Sequence, residues 1–309
     1  MSVIEVNNLT KDYGFGRGVF NVSFKINKGE VFGFLGPNGA GKSTTIRHLM
    51  GFSKPQEGSS KIFDLETFDN YDKILNNVGY IPGEIALPQG LTGYEFIDMM
   101  QKMYHKKNDE MLNKMLDLFK LEPNVLKMET KRMSLGVKRK LAIVTAFMSD
   151  PDVLILDEPT SGLDPVMQEV FINFIKEEKA RGKTILLSSH IFSEVDATCD
   201  RICIIKDGKI VSEFVANDLK HATLKHFKIT FKTIDSLNSF MENKKEYINI
   251  LNENKDNLTI NITCEDKDIN SFISFISNYE IDEFTNIKET LQDFFMKFYK
   301  ENKDFGGAL

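Results

Sequence analysis

The sequence contains no apolar run near the ~18 residues that a membrane-spanning helix needs, which excludes an integral membrane protein. Cysteine is scarce: Cys199, Cys203 and Cys264 are the three thiols in 309 residues. Three fit neither a paired disulfide framework nor a four-ligand zinc site, and plain buried thiols in a reducing cytoplasm are the simpler reading. There is no basic excess either, and a net charge of −6 at pH 7 argues against nucleic acid as a partner. Met1-Ser2-Val3-Ile4-Glu5 carries no signal-peptide pattern, so the glycosylation match Asn257-Leu258-Thr259 is expected to be inert. The length suits one large domain and one small one.

What is present begins at Gly36. Gly36-Pro37-Asn38-Gly39-Ala40-Gly41-Lys42-Ser43 fits the phosphate-binding pattern GxxxxGK[ST] without a mismatch. The apolar Val31-Phe32-Gly33-Phe34-Leu35 precedes it, and a helix-compatible stretch starts at Thr44. That is the strand–loop–helix setting the motif requires. Glycine has no Cβ, so several backbone N–H groups can converge on one polyphosphate, helped by the positive end of the next helix. Lys42 is expected to reach the β- and γ-phosphates and the Ser43 hydroxyl to ligate Mg²⁺, with Thr44 completing the binding set. The alternative is a glycine-rich turn that happens to match, and the flanks argue against it. The chain reads as a binder of a nucleoside triphosphate.

A second motif bears on the chemistry of the bound nucleotide. Val153-Leu154-Ile155-Leu156 is an uninterrupted apolar run ending in Asp157-Glu158. Such a run reads as a strand buried on both faces of a parallel sheet, with ligands at its C-terminal end. Asp157 is placed to hold the Mg²⁺ shell, and Glu158 to polarise water attacking the γ-phosphate. A solvated acidic pair after a core strand is the alternative, weakened by Lys42.

Further motifs come in a fixed order. Glu158 leads into Pro159-Thr160-Ser161-Gly162-Leu163-Asp164, and the strand-like Thr184-Ile185-Leu186-Leu187-Ser188 ends at Ser189-His190. Upstream lies Met133-Ser134-Leu135-Gly136-Val137, just before Lys138-Arg139-Lys140-Leu141. Together these resemble the ATP-binding subunit of a bacterial ABC transporter of the drug, antibiotic or peptide export type, over about residues 1–215. The resemblance implies that Ser134 and Gly136 belong to the signature loop, that Asp164 closes the D-loop, and that His190 is the switch histidine. Tyr13, in Lys11-Asp12-Tyr13-Gly14, sits where the family keeps an aromatic that stacks on adenine. Read singly, Ser134 and Gly136 also fit a simple helix entrance, Tyr13 a strand-end aromatic, and His190 a core histidine.

Two departures stand out. Leu135 and Val137 replace Gly and Gln of the family's signature. The family's Q-loop glutamine should come after Tyr80-Ile81-Pro82, where this chain has Gly83 and then Glu84. A glycine has no side chain to offer Mg²⁺ or water. Glu84 either takes over as a metal ligand, since its carboxylate suits Mg²⁺, or simply starts a loop.

The fold expected is α/β: a P-loop ATPase core with an antiparallel β subdomain in residues 2–30 and a helical subdomain in about 85–150. Leu112, Met115, Leu116 and Phe119 share one helical face there. A hairpin is expected at Asp207-Gly208. Residues 1–218 form the ATP-binding domain and 219–309 a small C-terminal α+β domain. In the latter, Phe227, Ile229 and Phe231 and then Leu258, Ile260 and Ile262 alternate as strands. Ile234, Leu237 and Met241 form one helical stripe; Ile269, Phe272, Ile273 and Ile276 another; Leu291, Phe294, Phe295 and Phe298 a third. Read in order, with Ile248 and Ile250 and then Ile281 as further strand markers, these suggest a small α+β sandwich of the split βαβ kind.

The expected activity is ATP hydrolysis with Mg²⁺. The resemblance implies two copies, or this chain and a second ATP-binding subunit, with Ser134 and Gly136 of one closing on the γ-phosphate held by the other. The partner would be an integral membrane permease, which would place the chain at the cytoplasmic face of the membrane. A translation factor of this family carries two nucleotide domains, and this chain has one Lys42-type loop. A chromosome ATPase needs a long coiled coil between loop and signature. Lys42 and Ser134 are 92 residues apart (134 − 42), which leaves no room.

Overall fold

Two strand patterns in the sequence produce two kinds of sheet in the computed structural model, which describes residues 1–220, 224–287, 291–292 and 295–296. The strands are β1 (Ser2–Asp12), β2 (Gly18–Asn27), β3 (Val31–Leu35), β4 (Glu57–Ile62), β5 (Leu65–Glu66), β6 (Val78–Ile81), β7 (Val153–Asp157), β8 (Thr184–Ser189), β9 (Arg201–Lys206), β10 (Lys209–Val215), β11 (Leu224–Phe231), β12 (Asn249–Asn254), β13 (Thr259–Glu265) and β14 (Ile281–Ile287). The helices are α1 (Lys42–Leu49), α2 (Tyr71–Leu75), α3 (Gly93–Met103), α4 (Asp109–Leu118), α5 (Pro123–Leu126), α6 (Leu135–Phe147), α7 (Pro165–Ala180), α8 (Phe192–Thr198), α9 (Ala216–Lys220), α10 (Ile234–Glu242) and α11 (Ile269–Ile276). Met1–Ala216 is one compact unit, and a second begins at Asn217.

In the first unit, β3, β7 and β8 are buried at every position, as continuous apolar runs in a parallel sheet should be. They lie side by side in a six-stranded sheet of order β10-β9-β3-β8-β7-β6. All its pairings are parallel except β10 on β9. That last pair is the expected hairpin, turning at Asp207 (φ 49) and Gly208 (φ 73), the left-handed pair that a tight hairpin turn demands. The loops after β3, β7 and β8 therefore emerge side by side at one sheet edge.

An antiparallel sheet of order β2-β1-β4-β5 accompanies it. Its β2 alternates buried and exposed residues, the mark of one covered face. The sequence placed this sheet in residues 2–30 alone; β4 and β5 extend it. The helical region contains α3 to α6. Its α4 seam is centred on Met111, Met115 and Phe119, with Leu112 and Leu116 half-buried at its margin. No helix among the described residues is long and apolar enough to cross a membrane.

The second unit runs β11-α10-β12-β13-α11-β14 and pairs its strands in the order β12-β13-β11-β14, all antiparallel. This is the split βαβ arrangement. Phe227, Ile229, Phe231, Ile260 and Ile262 meet Leu237, Phe240 and Phe272 in its core. Leu237, Met241, Ile269, Phe272 and Ile276 of the two expected helical stripes pack in or against this core, and each stripe departs at one isoleucine. Ile234 (44%) and Ile273 (49%) are exposed, and Phe240 and Phe275 pack inward in their place. Leu258 forms the turn before β13 at φ 52. Leu291 and Phe295 of the third stripe are buried; Phe294 and Phe298 lie outside the described residues.

Candidate active site

Three neighbouring strands deliver the site. The phosphate loop comes after β3, Asp157 ends β7 with Glu158 next, and His190 comes just after β8. The loop's tightness requires glycine at two places. A Cβ on Gly36 would lie 2.5 Å from the Ile205 carbonyl oxygen, and one on Gly41 (φ 107) 2.7 Å from Val19 Cγ1. The turn at Gly41 leads directly into α1, which has no side-chain cap. Its first N–H groups are thus left to an anion.

Lys42 is 5% exposed. Its Nζ donates to the carbonyls of Gly36 at 2.6 Å and Pro37 at 3.2 Å, and forms an ion pair with Glu158 Oε1 at 3.2 Å. The other Glu158 oxygen lies 2.6 Å from His190 Nδ1. Glu158 takes a left-handed backbone at φ 48, and its N–H donates to Ser188 O at 2.9 Å. That turn points its carboxylate back over the phosphate loop. Beside it, Asp157 Oδ1 accepts from Ser188 Oγ at 2.8 Å. Burial raises the Asp157 pKa, the hydroxyls of Ser43 and Ser188 lower it, the Glu158 charge raises it, and Lys42 lowers it. A buried carboxylate facing a serine hydroxyl gains from a cation at that spot.

The phosphate loop lines a 580 Å³ cleft together with Tyr13, Thr44 and Glu158. Arg17 and Arg47 also line it; no motif singled them out, since an arginine outside a pattern reads as solvated surface. Ser134, Gly136 and Asp164 are not among the residues lining this cleft. Ser134 caps α6, accepting from the Val137 N–H at 3.3 Å, and Asp164 caps α7, accepting from the Met167 N–H at 3.0 Å. A Cβ on Gly136 would sit 3.0 Å from Gly162 O, so the signature and D-loop segments touch within one chain. Glu84 is exposed. Its neighbour Gly83 is the residue facing the site: a Cβ there would lie 3.1 Å from Asp157 Oδ2.

Behind the site sits Glu194, 1% exposed. Its Oε2 accepts from Ser189 Oγ at 2.6 Å. Burial first, and then the Glu158 charge, push its pKa to about 7, against hydrogen bonds from Ser189 and Thr160. Nothing in the sequence pattern signalled this carboxyl.

The family profile described as ABC transporter matches residues 19–161. The chain is 37% identical over 233 residues to the bacitracin transport ATP-binding protein BcrA of Bacillus licheniformis, covering 74% of each chain. A solved structure described as the ATP binding subunit of an ABC transporter superposes with a TM-score of 0.66 at 32% identity, over 71% of this chain and 92% of that one. Another, a dimeric ATP-binding cassette in a post-hydrolysis state with ADP and Pi bound, superposes with a TM-score of 0.62 at 25% identity, over 69% of this chain and 98% of that one. With a phosphate loop, an acidic strand end and a histidine converging as described, the chain belongs to the ABC transporter family as one of its ATP-binding subunits, an ATPase.

Proposed function

We propose that this chain hydrolyses ATP as one half of a cassette dimer and so drives export through a separate membrane permease. The observation that carries this reading is the run of contacts Lys42–Glu158–His190 laid across the phosphate loop, 3.2 Å and 2.6 Å long. Lys42, with the loop's N–H groups, binds the β- and γ-phosphates. Glu158 accepts a proton from the attacking water and is held in orientation by His190, which also contacts the γ-phosphate. Tyr13 stacks on the base. Mg²⁺ fits the donor set: the Ser43 hydroxyl and buried Asp157 are hard oxygen donors that would hold it. When bound it neutralises charge developing on the phosphates. Glu84, exposed on the loop after β6, would have to turn toward the site to serve as a further metal ligand.

Ser134 and Gly136 are absent from their own chain's cleft, which supports their use on a facing chain, with Asp164 at the same junction. The solved relative was captured as a dimer with ADP and Pi. An apolar groove lined by Phe52, Tyr80, Ile85, Leu87 and Met100 lies beside the loop after β6. We assign it to the permease, which sets this chain at the cytoplasmic membrane face. The homologous bacitracin protein carries transport in its name, and export of a drug, antibiotic or peptide is the reading it favours.

The test compares two variants. Glu158→Gln should bind ATP normally and lose at least ~10²-fold in turnover, as removal of a general base does. Lys42→Ala should weaken binding of a non-hydrolysable analogue. Near-normal turnover in the first, or unchanged affinity in the second, contradicts the assignment.

A further inference from the structure

Arg139 is 2% exposed and heads the fully buried side chains among the described residues in size. Its place on α6 is the middle of Lys138-Arg139-Lys140, a run that reads as solvated surface. A guanidinium is costly to bury unless its donors are satisfied, and here they go to three backbone carbonyls. Nε donates to Ser161 O at 2.9 Å, Nη1 to Pro82 O at 2.8 Å, and Nη2 to Gly83 O at 2.7 Å. Two of these carbonyls belong to the loop after β6, the third to the turn after Glu158. The Ser161 N–H in turn donates to Glu158 O at 3.1 Å. A continuous set of bonds thus runs from Gly83 through Arg139 and Ser161 to Glu158, and the Asp157 and Glu158 charges act on the guanidinium.

We propose that Arg139 is a positioning residue that sets the loop after β6 and the Glu158 turn in one arrangement for hydrolysis. It grips Gly83 through the backbone, where a side chain at that position would press on Asp157. Pro82 and Ile85 of the same loop line the apolar groove, so a partner seated there and displacing the loop must carry Arg139, and with it Ser161. The planar fork of arginine suits this task; the single ammonium of lysine does not hold three diverging carbonyls in fixed geometry.

The inference rests on Glu158 orienting water, and the experiment separates the two. Arg139→Lys, Gly83→Ala, Ile143→Val and Glu158→Gln are each assayed for ATPase kinetics, analogue affinity and thermal midpoint in the full chain. Arg139→Lys should lose ~10-fold or more in kcat, as small misplacements of a reacting group do, with KM and analogue affinity within ~2-fold. Gly83→Ala, pressing the same loop from the Asp157 side, should show the same split, and the two together should lose less than the product of their effects. Ile143→Val lowers the midpoint from the same helix and should leave kcat unchanged. An Arg139→Lys enzyme with parental kcat overturns the proposal, as does an equal kcat loss in Ile143→Val, which would mean packing alone. If Arg139→Lys does not fold, a Gly83→Ala enzyme with parental kcat overturns it. A Glu158→Gln enzyme that still turns over overturns the site assignment instead.

Discussion

Replacing Glu194 by glutamine keeps its shape and its bond to Ser189 while removing a proton site whose pKa is about 7 against an ordinary 4.5. The folded state holds that proton where the unfolded chain releases it, so its stabilising effect is full below about 4.5 and is lost as pH rises to about 7. The parent's thermal midpoint should therefore fall between those values, and Glu194→Gln should flatten the fall. Equal slopes in both proteins would contradict a buried, protonated Glu194. Glu84 makes the opposite case, an exposed carboxylate with a proposed task. Glu84→Ala should move the midpoint little, since surface changes usually stay within ~0.5 kcal/mol, and should lower ATPase activity. An unchanged rate with and without a permease removes it from the metal shell. Residues in a spaced motif, Lys42, Ser43 and Asp157, were legible because spacing reports their chemistry. Arg139, Ser188 and Glu194 were not, because their partners come from other strands and loops and only folding reveals them.

At the scale of elements, the caps of α6 and α7 carry a second meaning. Asp164 holds the first turn of α7 through the Met167 N–H, with Pro165 set at the first helical position. Asp164→Ala should cost ~1 kcal/mol in a denaturant melt. Asp164→Asn keeps the cap, and if Asp164 acts across a dimer it should retain stability and lose ATPase rate; loss of neither leaves it a cap alone. Continuous apolar runs made β3, β7 and β8 plain from sequence, and Asp207-Gly208 marked its hairpin. The strand β4 was missed because Gly58-Ser59-Ser60 looks like a loop, though Ser60 and Ile62 are buried in it. In α10 and α11 the expected stripes included Ile234 and Ile273, while packing turned the larger Phe240 and Phe275 inward in their place.

For the whole molecule, the central claim is that two chains close on ATP between one phosphate loop and the facing Ser134 and Gly136. Lys42 and Glu158 line the cleft, whereas Ser134 caps α6 and is not among the residues lining it. The fold class was readable because the strand-end motifs have a fixed order. A dimer is not a property of any one motif. Sedimentation velocity on Glu158→Gln, with and without ATP and Mg²⁺, tests it most directly, since slow turnover should preserve the closed state. The account predicts a monomer without nucleotide, a dimer with it, and a monomer again when Ser134→Arg is added with ATP still bound. A Glu158→Gln chain that binds ATP and stays monomeric would contradict it.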